Sequence, residues 1–321
     1  MFAIMVIMAL ATTFITTPLL HAVYSPARQR RDEAMREPPP PSGETRTLIA
    51  VSSPQTVPGL VNVGAWLLGN NIGRLCVLHL SHPEEQERRN RAFYPAVDPI
   101  ERAIQHASEL DVPVRALGFI SRNPASDILR TAQKYKCGWI VLGGHKGILT
   151  GSALGHIADE VIEHGDCNVA ILMGKPLRTV QKILVPYLGE NQDVGALLAA
   201  DIIARQQDAH ITILHVVKLG DRAGNDDRLG VQEMMDRQFG SPGGVRQVRF
   251  QVVESNSPVD VAVHESEAYD LIILGISEQW RLKQSLLTGP QASVAQAAAC
   301  SILAVHTTAS TIINAPTAVV H

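Results

Sequence analysis

This chain of 321 residues has few aromatic residues, few charged residues and almost no excess of one charge sign. Aromatics make up 4% of the residues and charged side chains 18%, against about 25% charged in an average soluble domain. Lys plus Arg is 28 and Asp plus Glu is 31, so the net charge is -3. Because nucleic-acid binders are normally basic or carry aromatic stacking surfaces, we expect no nucleic-acid partner. With 45% hydrophobic residues the chain can bury sizeable cores, and its length predicts about two domains.

Cysteine pairs and catalytic motifs are also absent from the sequence. The four cysteines lie far apart, without a C-x-x-C pair or a His at metal-ligand spacing: Cys76, Cys137, Cys167 and Cys300. This spacing predicts free, mostly buried thiols in a reducing compartment and argues against a disulfide framework or a structural zinc site. We find no Gly-x-Ser-x-Gly elbow, no P-loop and no paired carboxylates in a shared loop. A binding protein is therefore favoured over an enzyme.

No charged side chain precedes Arg28, and residues 1–23 are mostly apolar. A run of about 20 such residues can cross a bilayer as a helix. A signal peptide, a buried helix and an interfacial helix are the alternatives. The run lacks the basic start of a signal peptide and the charged face of an interfacial helix. Four arginines at 28–36 and then four prolines at 38–41 follow. Arginines beside a membrane span favour the cytoplasmic side of the membrane, and a run of prolines forms a stiff, extended spacer. The sequence predicts a single inner-membrane span over 1–24 and a basic, Pro-rich linker over 25–44, with residues 25–321 in the cytoplasm.

An internal repeat organises the rest of the chain. Five short segments recur in the same order 132 to 136 residues later, among them Leu78-His79-Leu80 as Leu214-His215-Val216 and Cys167-Asn168 as Cys300-Ser301. Chance does not conserve both order and spacing, so we expect two homologous domains. We place domain 1 at 45–175, domain 2 at 179–307 and a tail at 308–321.

Short apolar runs alternate with helical patterns in both copies. Strands are predicted at 47–52, 74–80, 114–120, 138–143 and 168–173, and at 181–186, 210–217, 246–253, 270–275 and 301–306. Helices are predicted at 97–110, 124–136, 152–165, 191–207, 257–268 and 288–299. Uninterrupted Val, Ile and Leu runs indicate strands buried on both faces. The fold class is therefore α/β, with a five-stranded parallel sheet in each domain and a ligand site outside the carboxyl ends of the strands.

A glycine-rich turn follows the fourth strand of domain 1. It reads Gly143-Gly144-His145-Lys146-Gly147, and Gly151-Ser152 or Gly155-His156 introduces the next helix. Inward N–H groups, a helix N-terminus and two cationic side chains can together cradle phosphates. A plain strand-to-helix turn is the alternative.

The repeat, the order of elements and this turn resemble the universal stress protein family, whose fold is of the adenine nucleotide alpha hydrolase type. The family signature is G-x-x-G, nine residues, then Gly and Ser or Thr. The resemblance implies that domain 1 holds ATP with this loop and with the residue after the first strand, here Ser52 where the family has Asp. Lys146 also departs from the signature. In domain 2, Glu278 and Pro290 depart further, so we expect ATP, if bound, only in domain 1.

The apolar segment from Met8 to Leu20 resembles the last transmembrane helix of cation/proton antiporters of the Kef and plant cation-exchanger type, which carries an A-x-x-T-T-x-x-T-x-P-L pattern. The resemblance implies the cytoplasmic regulatory tail of such an antiporter, with its membrane domain as partner. Because one helix cannot form an ion path, the chain would be a tail, a truncated frame or a docking subunit. A stand-alone ATP-binding stress sensor is the second candidate function, and a weak ATPase is the third.

The fifth strands of the two copies are apolar without alternation, at 169–173 and 302–305. As sheet edges they would expose unpaired, sticky backbone groups. Family resemblance implies pairing through these strands, and the linker at 174–180 can span up to roughly 25 Å. We expect an intramolecular, antiparallel pair.

Two residue types recur outside the candidate loop. Asp127 and Asp260 are expected near helix N-termini, where carboxylates suit the dipole. His79 and His215 end buried strands, and we expect them to be packed or hydrogen-bonded.

Overall fold

Ten strands form one continuous sheet in the structure, a computed structural model that describes residues 45–69, 73–82, 98–144, 155–187, 191–219, 248–276 and 290–308. Domain 1 contributes β1 (Thr45–Val51), β2 (Gly73–Ser81), β3 (Val114–Ile120), β4 (Trp139–Gly143) and β5 (Asn168–Met173). Domain 2 contributes β6 (Lys182–Tyr187), β7 (His210–Val217), β8 (Val248–Glu254), β9 (Leu271–Gly275) and β10 (Ser301–His306). The order across the sheet is β3-β2-β1-β4-β5-β10-β9-β6-β7-β8.

Neighbouring strands are parallel within each domain and antiparallel only where β5 meets β10. The predicted α/β class with parallel sheets is confirmed, and the ten predicted strands are present with bounds shifted by at most a few residues. In domain 1, the strand order reverses between β1 and β4. At this switch point the flanking connections diverge, which opens a crevice at the carboxyl ends of the two strands.

Helices cover both faces of the sheet. One face carries α1 (Val57–Leu67), α2 (Pro99–Glu109) and, from domain 2, α5 (Asn191–Gln207). The other carries α3 (Pro124–Lys134), α4 (Gly155–His164), α6 (Pro258–Glu265) and α7 (Pro290–Ala297), with a short 3-10 turn at Ser266–Ala268. Each face therefore has one core that runs through both domains.

Helix α1 was not predicted from the sequence. Nine of its eleven residues are buried, because it lies between the sheet, α2 and α5 of the other domain. Gly64 lets α1 approach β1 closely, since a Cβ there would overlap the side chain of Ile49. A helix that is buried on nearly every side has no polar face, so it lacks the 3.6-residue periodicity that reveals an amphipathic helix.

The seam between the domains confirms the predicted antiparallel pairing of the two fifth strands. Ala304 lies opposite Ile171, and both are almost fully buried. A polar residue at the start of each seam strand holds the chain that leaves the other strand. The Ser301 hydroxyl donates to the carbonyl of Lys175 at 3.0 Å, and the Asn168 side-chain oxygen accepts from the N–H of Thr308 at 3.1 Å.

The predicted span over 1–24 and the linker over 25–44 lie outside the described residues. Within the part of the chain that the structure describes, none of the helices combines the length and apolar character needed to cross a bilayer. All four cysteines are free thiols, as expected, and only Cys167 is more than slightly exposed.

Candidate functional site

A cavity of about 340 Å³ opens at the carboxyl ends of β1 and β4 in domain 1. Its described lining consists of Ala50, Val51, Ser52, Thr56, Leu78, Leu80, Pro124, Ile128, Leu142, Gly143, Gly144, Ile157, Ala158 and Ile171. Three residues predicted from the sequence, Ser52, Gly143 and Gly144, therefore lie in one wall. His145, Lys146, Gly147 and Ser152 lie outside the described residues. Gly155 and His156 are the first two residues of α4, which lines the cavity through the residues that follow them.

Three helices begin at this cavity. Thr56 is the N-cap of α1, Pro124 is the first residue of α3, and Ile157 and Ala158 belong to the first turn of α4. The N-terminus of a helix carries unpaired N–H groups and partial positive charge, which favour an anionic ligand. None of the described lining residues has a charged side chain, so in this part of the wall the helix ends supply the positive potential.

The floor of the cavity is apolar, and its polar side-chain groups are the hydroxyls of Ser52 and Thr56. Leu78 and Leu80 approach from β2, and Ile128 approaches from α3. Such a lining suits a flat, largely apolar ring with a polar or anionic group directed towards the helix ends. The sequence analysis did not identify these leucines as site residues. They flank His79 in the repeated motif, and the alternation of side chains along a strand would have placed them on the face opposite that histidine.

His79 links the ends of β1 and β2 beside the cavity. Its Nδ1 lies 2.8 Å from the carbonyl oxygen of Val51, and its Nε2 lies 3.2 Å from the hydroxyl of Ser81. Because a carbonyl oxygen only accepts, Nδ1 carries the proton and donates to it. His215 repeats this contact in domain 2, with Nδ1 3.1 Å from the carbonyl of Tyr187. The prediction of hydrogen-bonded histidines is confirmed, and their role is to tie the ends of adjacent strands.

Asp127 fixes the start of α3 beside the cavity. The carboxylate accepts from the buried hydroxyl of Ser121 at 2.7 Å, and the Asn123 side chain caps the helix by accepting from the N–H of Ser126 at 3.1 Å. Asp260 also lies in the first turn of its helix, α6, but it is exposed. Both aspartates lie where the sequence predicted them, and Asp127 joins the end of β3 to the helix that lines the cavity.

In domain 2, main chain packs closely against the glycine that corresponds to Gly143. Gly275 ends β9 as Gly143 ends β4, but a Cβ on Gly275 would overlap the backbone of Gln192 in the first turn of α5. A Cβ on Gly143 would meet only side-chain atoms, of Leu60 at 3.4 Å or beyond and of Thr56 at 3.9 Å, among the described residues. The connection after β6 is shorter than the one after β1, three residues against five, so α5 begins directly over the strand end. Among the described residues, the open cavity lies in domain 1.

Comparison with known proteins agrees with this architecture. The model of the universal stress protein family matches residues 45–172 and again residues 179–306. Cation/H(+) antiporter 19 of Arabidopsis thaliana is 26% identical to the chain over 335 aligned positions, which cover 85% of this chain and 41% of the antiporter. The chain thus spans about two fifths of that relative's length.

Two solved structures share the fold. A universal stress protein from Archaeoglobus fulgidus DSM 4304 superposes with a TM-score of 0.52 at 14% identity, covering 80% of this chain and 97% of that one. The cytoplasmic domain of a prokaryotic cation chloride cotransporter superposes with a TM-score of 0.51 at 14% identity, covering 82% and 95%. Since the family model covers both halves of the ten-stranded sheet, the chain belongs to the universal stress protein family.

Proposed function

We propose that this chain is the cytoplasmic regulatory module of a cation/proton antiporter, tethered at the inner membrane through its first 24 residues. The observation that carries the proposal is the similarity to a cation/H(+) antiporter over 85% of the chain. The antiporter is more than twice as long as the matched part, which leaves room for a membrane domain outside that part. The shared fold with the cytoplasmic domain of a cotransporter supports the same role.

The module would act on its membrane domain as one body. Both cores run through both domains, and β5 and β10 join the two sheets by main-chain hydrogen bonds. A signal that changes domain 1 therefore reaches domain 2 through a continuous sheet. Binding and mechanical coupling, without catalysis, are sufficient for this function.

We further propose that the cavity of domain 1 receives the signal as an adenine nucleotide, with ATP as the first candidate. The apolar floor fits the base, and the ends of α1, α3 and α4 favour the phosphates. Ser52 replaces the acidic residue of the family at the strand end, so a hydroxyl, which both donates and accepts, faces the ligand there. A stand-alone ATP sensor without a transporter is the second candidate, and the same cavity supports it.

A measurement of proton flux distinguishes an antiporter module from a stand-alone ATP sensor. Everted vesicles from cells without endogenous antiporters would carry an antiporter membrane domain from the same genome, with or without this chain. We expect co-purification of the chain and a change in cation-driven proton flux of about fivefold, the low end of ordinary allosteric coupling. Unchanged flux and no co-purification, in a chain that still binds ATP, would favour the stand-alone sensor.

A further inference from the structure

Three arginines lie side by side where the first three strands of domain 1 begin. Arg46 of β1 is in register with Arg74 of β2, and Arg115 of β3 is in register with Cys76, two residues beyond Arg74. Residues in register on neighbouring parallel strands, or two apart on one strand, lie on the same face of the sheet. All three arginines therefore share the face that α3 covers, where Cys76 belongs to the core.

The end of α3 adds positive charge at the same place. The Arg115 guanidinium lies 4.8 Å from the centre of the Tyr135 ring, and Nζ of Lys134 lies 5.2 Å from it. Burial, together with the nearby Arg115 guanidinium, lowers the pKa of Lys134, because a second cation disfavours the charged ammonium. Lys136 follows and is exposed. We call these five cations the basic cluster: Arg46, Arg74, Arg115, Lys134 and Lys136.

Positive charge predominates at this amino edge of domain 1, where its strands begin. The described segments of the edge carry two carboxylates, Asp111 and Asp166, against the five cations of the basic cluster, a net charge of +3. The described segments of the amino edge of domain 2 carry two cations and three carboxylates, namely Lys182, Arg249, Asp208, Glu267 and Asp270. The segments compared are 45–46, 73–74, 110–115, 134–138 and 165–168 in domain 1, and 181–182, 208–210, 248–249, 266–270 and 298–301 in domain 2. The excess of positive charge is therefore particular to domain 1.

The basic cluster lies at the edge of the sheet where the chain enters domain 1. β1 begins at Thr45, directly after the predicted basic linker over 25–44, whose own arginines lie at 28–36. Because β5 and β10 are antiparallel, the amino edge of domain 2 lies at the opposite edge of the sheet, together with the cavity of domain 1. A tether through residues 1–24 can therefore bring the basic cluster to the membrane while the cavity stays on the far side.

We propose that the basic cluster is a docking surface for the anionic lipids of the membrane to which the chain is tethered. Each Lys or Arg near an anionic lipid surface strengthens attachment about fivefold. Four of the cations are at least partly exposed and meet the headgroups, and Arg46, which is 4% exposed, adds its field from behind them. Because the tether raises the effective concentration of the surface at the membrane, a few cations suffice. The docking surface rests on the tether of the proposed function and not on what the cavity binds.

Amine labelling of the full chain in lipid nanodiscs measures docking. The nanodiscs contain phosphatidylcholine alone, or phosphatidylcholine mixed with anionic phosphatidylglycerol, and mass spectrometry follows acetylation by a water-soluble reagent. We expect Lys136 to be labelled at least about fivefold more slowly on the anionic nanodiscs, because docking shields its ammonium from the reagent. Lys175 and Lys182 are exposed at the opposite edge of the sheet and should be labelled at the same rate in both lipids.

A double variant removes two charges of the basic cluster and leaves Lys136 as the reporter. Arg74→Gln with Lys134→Gln should weaken docking by about 25-fold, so that Lys136 is labelled on anionic nanodiscs nearly as fast as on neutral ones. The matched control, Arg249→Gln with Lys182→Gln at the amino edge of domain 2, should behave as wild type. Equal protection of Lys136 in the two double variants would contradict the proposal.

Salt provides a second measurement in the wild type, in case the double variant fails to fold and Lys175 is labelled faster as well. Raising the ionic strength from about 0.15 M to about 1 M shortens the screening length from about 8 Å to about 3 Å. Loss of the protection of Lys136 at high salt supports the docking surface, and protection that persists contradicts it.

Failure of the docking surface is distinguishable from failure of the tether. A chain that enters the nanodiscs but shows equal labelling of Lys136 in both lipids overturns the docking surface and leaves the tether intact. Protection in both lipids that requires an antiporter membrane domain overturns it in favour of an acidic protein surface. A chain that does not enter nanodiscs refutes the tether. Sedimentation of that chain with vesicles of the two compositions then decides: binding to anionic vesicles alone supports the docking surface, and binding to neither contradicts it.

Discussion

At the scale of single residues, Gly174 turns the chain out of β5 and into the linker. Its φ of +101° lies in the region that side chains avoid, and a Cβ there would approach the carbonyl of Cys300 at 3.4 Å. We predict that Gly174→Ala lowers the free energy of unfolding by about 1–2 kcal/mol, the cost of a left-handed conformation for a residue with a Cβ. Chemical denaturation of the full chain measures it.

Gly138 provides the matched control for this prediction. A Cβ at Gly138 would meet no atom within 4 Å, and its backbone is not left-handed. Gly138→Ala should leave the midpoint of denaturation nearly unchanged. Equal destabilisation by the two substitutions would mean that the turn at Gly174 carries no special strain.

Cys167 is a half-buried thiol that the structure makes unreactive. Burial, reinforced by the carboxylate of Asp166, raises the pKa of this thiol to about 11. At pH 8 about 0.1% of such thiols are ionised, against about a quarter of ordinary cysteines. We predict alkylation of Cys167 about a hundredfold slower than in the denatured chain, and faster alkylation in Asp166→Asn. Mass spectrometry after timed iodoacetamide treatment measures it, and native labelling as fast as denatured labelling would refute the assignment.

At the scale of elements, the seam between β5 and β10 makes the two domains one unit. Ala304 is fully buried in the seam, so a carboxylate there would lose its hydration without gaining a partner. We predict that Ala304→Asp destabilises the chain by more than about 3 kcal/mol and promotes oligomers, because the freed strand edges can pair between chains. Denaturation and size-exclusion chromatography with light scattering measure the two effects.

Ala116 offers the same substitution at an exposed strand position. It lies on the edge strand β3, so Ala116→Asp should keep the oligomeric state of the wild type and nearly its stability. If Ala304→Asp matches Ala116→Asp in stability and oligomeric state, the seam does not hold the domains together.

The elements differ in how far their sequences reveal them. The central strands could be predicted because burial on both faces leaves uninterrupted apolar runs, as in Leu271–Gly275. Helix α1 could not, because burial on nearly every side removes its polar face. In the site, Ser52 could be predicted because it follows a strand, and Gly143 because it begins a glycine-rich turn. Thr56 and Ile128 reach the same wall only through the tertiary placement of α1 and α3, which no local pattern specifies.

At the scale of the whole molecule, the two copies of one fold differ at the end of the fourth strand. Domain 1 keeps an open cavity beneath three helix ends, whereas in domain 2 the first turn of α5 lies on Gly275. The connection from the first strand to the first helix is two residues shorter in domain 2. Domain 2 covers the edge of β5 and extends both cores, and we propose that it serves mainly as the structural partner of domain 1.

Calorimetric titration of the full chain in detergent with ATP tests this central claim most directly. We predict one site per chain with a Kd tighter than about 100 μM, equivalent to roughly 5.5 kcal/mol. Ala50→Phe, which fills the cavity from β1, should weaken binding at least about tenfold, whereas Ala116→Phe, outside the cavity, should bind as wild type. Two sites per chain, equal binding by Ala50→Phe, or no binding at millimolar ATP would contradict the account.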